Sequence, residues 1–246
     1  MGRMDGQVAV VTGAGSGIGL ATATAFAREG CRVALVGRRP EPLQAAASAL
    51  GEQCVALPAD VSDAEAVARV ADEVVVRWGR VDVLVNNAGL NVVQRSTEAV
   101  SAQDWATVLD VNLTGTFLVT RAVLPTMRAQ GCGTVLNVSS YAGWRAMALT
   151  GPAYSAAKAG VNSFTESLNL TERRHGIRAC AVCPGEVATP IMDRRPVPPS
   201  AEARAAMLQP EDLAQTLLFL ATLPQRASIE LLTITPTVQR DWSKEL

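Results

Sequence analysis

Histidine is nearly absent from this chain of 246 residues: His175 is the only one. That scarcity excludes a serine hydrolase working through any other imidazole, and it leaves no histidine cluster for a metal. His175 itself lies in a polar turn, 173–176, and reads as a helix-end residue. Basic excess is also missing. Lys and Arg number 22 against 23 Asp and Glu, a formal charge of −1, so nothing points to nucleic acid and no run of like charge marks a tail. No unbroken apolar run reaches the roughly 18 residues of a membrane span. Residues 1–5 contain no apolar signal core, and Gly6 stands where a myristoylation signal needs Ser or Thr. Cytoplasmic residence is the expectation left, with neither membrane nor nucleic acid as partner. Cysteine is sparse and odd in number, five, which fits reduced thiols. Cys180 and Cys183 form a C-x-x-C, but residues three apart on a strand point to opposite faces. With no second such pair to complete a zinc site, they are expected on a buried strand, and no metal is expected.

What the chain has is a core. It is 48% hydrophobic and 18% charged, enough for one large α/β domain or two small ones. The β-branched apolar run 7–12 ends in Thr12-Gly13-Ala14-Gly15-Ser16-Gly17-Ile18-Gly19 and is followed by a helical pattern stopped by Gly30. Strand, glycines and helix in that order allow a tight turn, close backbone approach, and free N–H groups aimed at a phosphate. The run 32–37 reads as a second strand. Just past it, Gly37, Arg38 and Arg39 stand where an acidic residue would accept a ribose 2′-OH, and an arginine there suits a 2′-phosphate. Helix 41–50 and strand 53–57 follow. Asp60-Val61-Ser62-Asp63 closes a turn and can cap the helix running to Trp78, with Asp60 also able to bond an adenine amino group. Strand 81–85 ends in Asn86-Asn87-Ala88-Gly89, a turn suited to lining a ligand. Strands alternating with helices at this spacing predict a parallel sheet, and such sheets bind ligands at the carboxyl ends of their strands.

A long helix is expected over 101–127, with Trp105, Leu109, Leu113 and Phe117 on one repeating face and Asn112 inside it. Asparagine competes with helix backbone bonds, so Asn112 predicts a kink or a function. Strand 134–138 ends in Ser139 and Ser140, two hydroxyls where a substrate would sit. The next helix, to about residue 174, begins with Tyr154-Ser155-Ala156-Ala157-Lys158. Positions i and i+4 share a helix face. A free tyrosine has a pKa of about 10; a fixed cation beside it favours the phenolate, and a phenol tuned in this way can exchange a proton during catalysis.

The glycine pattern of 12–19, Asn-Asn-Ala-Gly at 86–89, Asn112, Ser140, Tyr-x-x-x-Lys at 154–158 and Pro184-Gly185 occur together in this order. The chain resembles the short-chain dehydrogenase/reductase family over nearly its whole length. The resemblance implies a single Rossmann-fold domain over 1–246, with a doubly wound, seven-stranded parallel sheet and helices on both faces. It implies that Tyr154 is the acid/base, that Lys158 binds the nicotinamide ribose and lowers the tyrosine pKa, that Ser140 holds the substrate oxygen, and that Asn112 keeps a water in a proton relay. It places Gly13, Ser16, Gly17, Ile18, Gly19, Arg38, Arg39, Asp60, Val61, Asn87, Ala88, Gly89, Pro184, Gly185, Val187 and Thr189 around the cofactor, together with Tyr154 and Lys158. The expected cofactor is NADP(H) in preference to NAD(H), and the expected substrate a small ketone or aldehyde, or the corresponding alcohol.

The segment 187–210, rich in Arg and Pro near its middle, reads as a substrate lid. Trp144, Met147, Leu149, Ile191 and Met192 are expected to form an apolar pocket, with Arg145 and Arg194 available to an anionic group but better suited to solvent. The chain lacks the Gly-rich turn, strand and Asp-Gly-Gly with which many family members end. Its β-rich run 229–236 and charged tail resemble instead the branch of serine 3-dehydrogenase-like and clavaldehyde-reductase-like enzymes. The helices 101–127 and 152–174 carry enough apolar surface to predict a homo-oligomer, a dimer or tetramer. An NAD-dependent alcohol dehydrogenase is the alternative within the same chemistry. A dinucleotide sensor without turnover would have little reason to keep Asn112, Ser140, Tyr154 and Lys158 together.

Overall fold

Residues 2–240 are described by the structure, a computed structural model; Met1 and the charged tail from 241 onward lie outside the described residues. Seven strands form one sheet: β1 (Val8–Thr12), β2 (Arg32–Gly37), β3 (Cys54–Pro58), β4 (Val83–Asn86), β5 (Gly133–Val138), β6 (Ile177–Pro184) and β7 (Leu231–Ile234). Their order is β3-β2-β1-β4-β5-β6-β7, and every neighbouring pair is parallel. Strands β1, β4, β5 and β6 are buried along their whole length, as continuous apolar runs covered on both faces must be. The order reverses beside β1, where the chain runs outward through β2 and β3 and then returns to β4. That reversal opens a crevice at the carboxyl ends of the strands.

Two apolar layers sandwich the sheet. On one face lie α1 (Gly17–Arg28), α2 (Pro40–Leu50) and α9 (Pro210–Ala221), centred on Phe26, Leu43, Leu213 and Leu217. On the other lie α3 (Ala64–Trp78), α5 (Gly115–Gln130) and α7 (Pro152–Glu172), contributing Val70, Val74, Val123, Met127 and Leu168. The Asp63 carboxylate caps α3 by accepting from the N–H groups of Glu65 and Ala66 at 2.9 and 3.1 Å. Cys180 joins the first layer, whereas Cys183 lies 3.6 Å from Asn162 on α7. The pair therefore points to opposite faces, and both thiols are free.

The long helix expected over 101–127 is continuous but not uniform. It consists of α4 (Ala102–Leu109), a π-helical turn over Asp110–Thr114, and α5. The wider turn shifts the helix face, so the stripe read from the sequence is partly wrong. Trp105 and Phe117 remain 38% and 42% exposed, while Val108, Asn112, Thr116 and Thr120 are buried. By length and composition the stretch Ala102–Gln130 is apolar enough to cross a membrane, although it contains no unbroken apolar run; in this fold its inner side packs on the sheet. Two short helices, α6 (Tyr141–Trp144) and α8 (Ala201–Ala205), and 3₁₀ turns over Ala148–Thr150, Arg173–His175 and Pro190–Arg194 complete the order.

One interior charge was not foreseen. Arg178 on β6 is 7% exposed, and its guanidinium donates to the carbonyls of Leu220, Ala221, Leu223, Pro224 and Ala227 at 2.6–3.4 Å. It thereby closes the C-terminal end of α9, where helix carbonyls lack intrahelical partners. Arg178→Met should cost about 3 kcal/mol and lower the melting temperature by roughly 6–10 °C, measurable by calorimetry. An unchanged melting temperature would show that water replaces those donors at no cost.

Candidate active site

The carboxyl ends of β1, β2, β4, β5 and β6 surround a cavity of about 720 Å³. One end of its wall is built from the turn after β1. Gly13 and Gly17 have φ of +65° and +53°, a region that L side chains avoid. A Cβ on Gly13 would meet Asn87 Nδ2 at 2.8 Å, and one on Gly19 would meet the Gly13 carbonyl at 2.4 Å. Ser16 occupies the N-cap of α1 without capping it through its side chain, and the first turn contains no acidic residue. The first amides of α1 are thus left to an anion, which fits a dinucleotide pyrophosphate.

Of the predicted cofactor residues, Gly13, Ser16, Gly17, Ile18, Arg38 and Arg39 line this end, and Asn87, Gly89, Gly185, Val187 and Thr189 line the middle. Gly19, Asp60, Val61, Ala88 and Pro184, also predicted, do not line it. The Asp60 carboxylate accepts from the backbone and hydroxyl of Ser62 at 2.9 and 2.6 Å and faces Arg38 at 4.0 Å. Val61 packs where a Cβ on Gly115 would go. Asn87 ties β4 to β1: its Nδ2 donates to the Thr12 carbonyl at 3.0 Å, and the Thr12 hydroxyl accepts from the N–H groups of Asn87 and Ala88.

The four predicted catalytic side chains converge deeper in the cavity. Ser140 follows β5, its hydroxyl accepts from the Ala142 N–H at 3.1 Å, and it lies close enough to the Tyr154 phenol to pull its pKa down. The Ser139 hydroxyl is turned away, donating to the Lys158 carbonyl at 3.0 Å. One turn along α7, Lys158 is 4% exposed; its Nζ donates to the Val138 carbonyl at 2.9 Å and lies 5.7 Å from the Tyr154 ring centre. Asn112 is fully buried in the π-helical turn. Its Nδ2 donates to the carbonyls of Leu90 and Val108, both at 2.8 Å, while its Oδ1 has no partner. The Val108 bond uses the acceptor that an unbroken α-helix would give to a backbone N–H. A Cβ on Gly89 would lie 2.8 Å from Asn112 Oδ1 and 3.6 Å from Lys158 Nζ. The orphaned oxygen and the ammonium therefore flank one small space, an arrangement suited to a bridging water.

Burial dominates the titration of both central groups. It pushes the Tyr154 phenol up, against the Ser140 hydroxyl and the charge of Arg95, which pull it down. It pushes Lys158 down to about 8. Arg95 is a second cation near the phenol, in addition to Lys158, whose ammonium lies 5.7 Å from its ring centre.

The apolar pocket is partly corrected. Met147, Leu149, Ile191 and Met192 line the cavity. Trp144 stays outside it, 45% exposed, with Arg145 stacked on its ring at 4.4 Å. The sequence reading missed a charged cluster at this end. Arg195 and Glu186 are both 8% exposed and paired at 2.7 Å, and Arg240 reaches Glu186 at 2.8 Å. It also missed a network behind the site, in which Asn86 donates to Asn137 and Thr120, both at 2.9 Å, and Asn137 donates to Thr165 at 2.8 Å. The segment between Val187 and Leu208 is closed at its base, where those two residues bridge and Ala188 N–H donates to the Leu208 carbonyl at 2.8 Å.

Comparison with known proteins places the chain. A family model described as short chain dehydrogenase matches residues 7–197. A 3-oxoacyl-[acyl-carrier-protein] reductase of Synechocystis is 39% identical over 238 residues, covering 93% of this chain and 94% of the relative. Among solved structures, the closed form of a serine dehydrogenase complexed with NADP+ superposes with a TM-score of 0.89 at 31% identity, covering 96% of this chain and 97% of that one. A 3-ketoacyl-(acyl-carrier-protein) reductase from Brucella melitensis complexed with NADH gives 0.88 at 29%, covering 95% and 98%.

Lys158 titrates well below its unfolded value of roughly 10.4, so between about pH 8 and that value the unfolded chain binds the extra proton. Stability gained through this group therefore rises with pH across that window. From pH 7.5 to 9.5, the melting temperature of the wild type should rise relative to that of Lys158→Met. A constant difference would place an ordinary, hydrated ammonium at this position.

Proposed function

Because the chain belongs to the short-chain dehydrogenase family and is an NAD(P)-dependent oxidoreductase, we propose that it interconverts a small ketone or aldehyde and its alcohol, with NADP(H) preferred. The observation that carries this reading is the convergence of Ser140, Tyr154 and buried Lys158, one helical turn from Tyr154, in the same cavity as the Gly13–Gly17 turn and Arg38. When bound, the nicotinamide would supply or accept the hydride.

The protein's part is position and protons. Ser140 donates to the substrate oxygen as negative charge gathers on it. Tyr154 gives that oxygen a proton in reduction and takes one in oxidation. Lys158 holds ribose hydroxyls through its ammonium, whose charge favours the phenolate. The unpaired Asn112 Oδ1 keeps a water against Lys158, through which the proton is replaced. Arg38 and Arg39 at the end of β2, with no acidic residue before Glu41, support a 2′-phosphate. The 188–207 excursion acts as the lid, and the exposed Trp105 and Phe117 on the α4–α5 face support a homo-oligomer.

Tyr154→Phe should leave nucleotide binding within about twofold and lower turnover by at least about 10³-fold, an upper-range loss for an acid/base group; retained turnover would sink the assignment. A fluorescence titration at one fixed salt should show NADPH binding at least about tenfold tighter than NADH, with the gap closed in Arg38→Ser. Tighter NADH would reverse the cofactor reading. Limited proteolysis should cut within 190–200, more slowly once nucleotide is added; equal rates would remove the lid.

A further inference from the structure

Arg95 contacts neither cofactor nor substrate in the chemistry just described, although its charge bears on Tyr154, and it is a poorly accommodated charge. It lies on the loop after β4, 9% exposed, and lines the cavity. Its backbone packs against Gly151, just ahead of α7, where a Cβ would strike the Arg95 carbonyl, and this holds it close to Tyr154. One Nη donates to the Arg194 carbonyl. Its Nε is buried with no partner, and no carboxylate pairs with it among the described residues. Glu186, the one acidic side chain lining the cavity, is already gripped by Arg195 and Arg240. Burial and the neighbouring charge of Arg195 push Arg95 down to about 10, so it remains a cation at neutral pH. A desolvated guanidinium with an open edge is costly to keep, and an anion bound there would relieve that cost.

We propose that Arg95 is the anchor for a substrate carboxylate, so that the natural substrate is an oxo acid or hydroxy acid whose reacting carbon lies at Ser140 and Tyr154. The proposal rests on the oxidoreductase reading above. A carboxylate fits better than a phosphoryl group. The open guanidinium edge offers one planar fork, which matches two oxygens, and Arg195 is held by Glu186. The same anchoring puts the substrate's negative charge beside the lid residues Arg194 and Arg195. Neutral ketones would lack this contact.

The test uses matched pairs, acetoacetate with methyl acetoacetate and levulinate with methyl levulinate, assayed with NADPH on the wild type, Arg95→Met and Arg95→Lys. In at least one pair the wild type should favour the acid by about tenfold or more in kcat/KM. Arg95→Met should lower the acid by roughly 30–100-fold more than the ester, mainly through KM, while any loss common to both, chiefly in kcat, reports the lost charge beside Tyr154. Arg95→Lys should fall between. Arg95→Met should also fold, because an apolar side chain replaces a poorly satisfied buried charge. Equal loss on acid and ester would reduce Arg95 to a strap for the lid, and preference for the ester would overturn the anchor. A calorimetric titration of malonate into the NADP+ complex provides a readout without turnover. Saturable binding weakened at least tenfold in Arg95→Met is expected, and no binding to the wild type overturns the proposal. Reduction of neutral ketones but of neither acid also overturns it while leaving the reductase reading intact. Absence of all carbonyl turnover removes that reading, and the malonate titration then decides the anchor alone.

Discussion

A lysine ammonium held out of water beside a phenol is the constraint to which the rest of the site conforms. Lys158 is 4% exposed and its Nζ has one protein acceptor, the Val138 carbonyl at the end of β5. To keep it there, α7 must lie close against that strand end. The approach is so tight that a Cβ on Gly143 would strike the Lys158 carbonyl and the Ser139 hydroxyl. On the other side, Gly89 leaves room between the ammonium and Asn112. The hydroxyl and amide network through Asn86, Asn137 and Thr165 fixes β4, β5 and α7 relative to one another. Buried polar chains rigidify what they link; this one is satisfied except at Asn86 Oδ1, which is buried without a partner.

Much of this was legible in the sequence, and the reasons are local. Gly13 and Gly17 take backbone angles that no other residue adopts cheaply, and Gly19 has no room for a Cβ, so the turn identifies itself. Six of the seven strands are apolar runs of ordinary length set between helices, and the parallel sheet follows from that alternation. Asn112 drew attention because it is a poor helix residue, and the π-helical turn is the physical answer. The same turn defeated the reading of Trp105 and Phe117, since a fixed helical period cannot anticipate an inserted residue.

What stayed hidden depended on contacts between distant parts of the chain. Arg95 and Glu186 look like ordinary surface charges in sequence, and Arg178, although set in an apolar run, carries no sign there of what would satisfy its charge. Their partners lie far off: Arg178 meets residues 220–227 and Glu186 meets Arg195 and Arg240. Trp144 failed for the opposite reason, while Arg145 is exposed as expected. They sit near the serines in sequence, but α6 turns them outward to stack on each other.

The bridge between Val187 and Leu208 has a consequence for how such a protein can diversify. Its two strand-like ends meet, and the chain between them leaves and re-enters the fold at almost one point. The sheet therefore does not register the length or composition of 188–207, and changing the loop length adds only a slowly growing closure entropy. That stretch behaves as a cassette. A counterpart from another member that kept the contact of Thr189 with Gly17 and the partner of Glu186 could be spliced between the same two residues, changing what enters the cavity while the strands and the buried lysine keep their places.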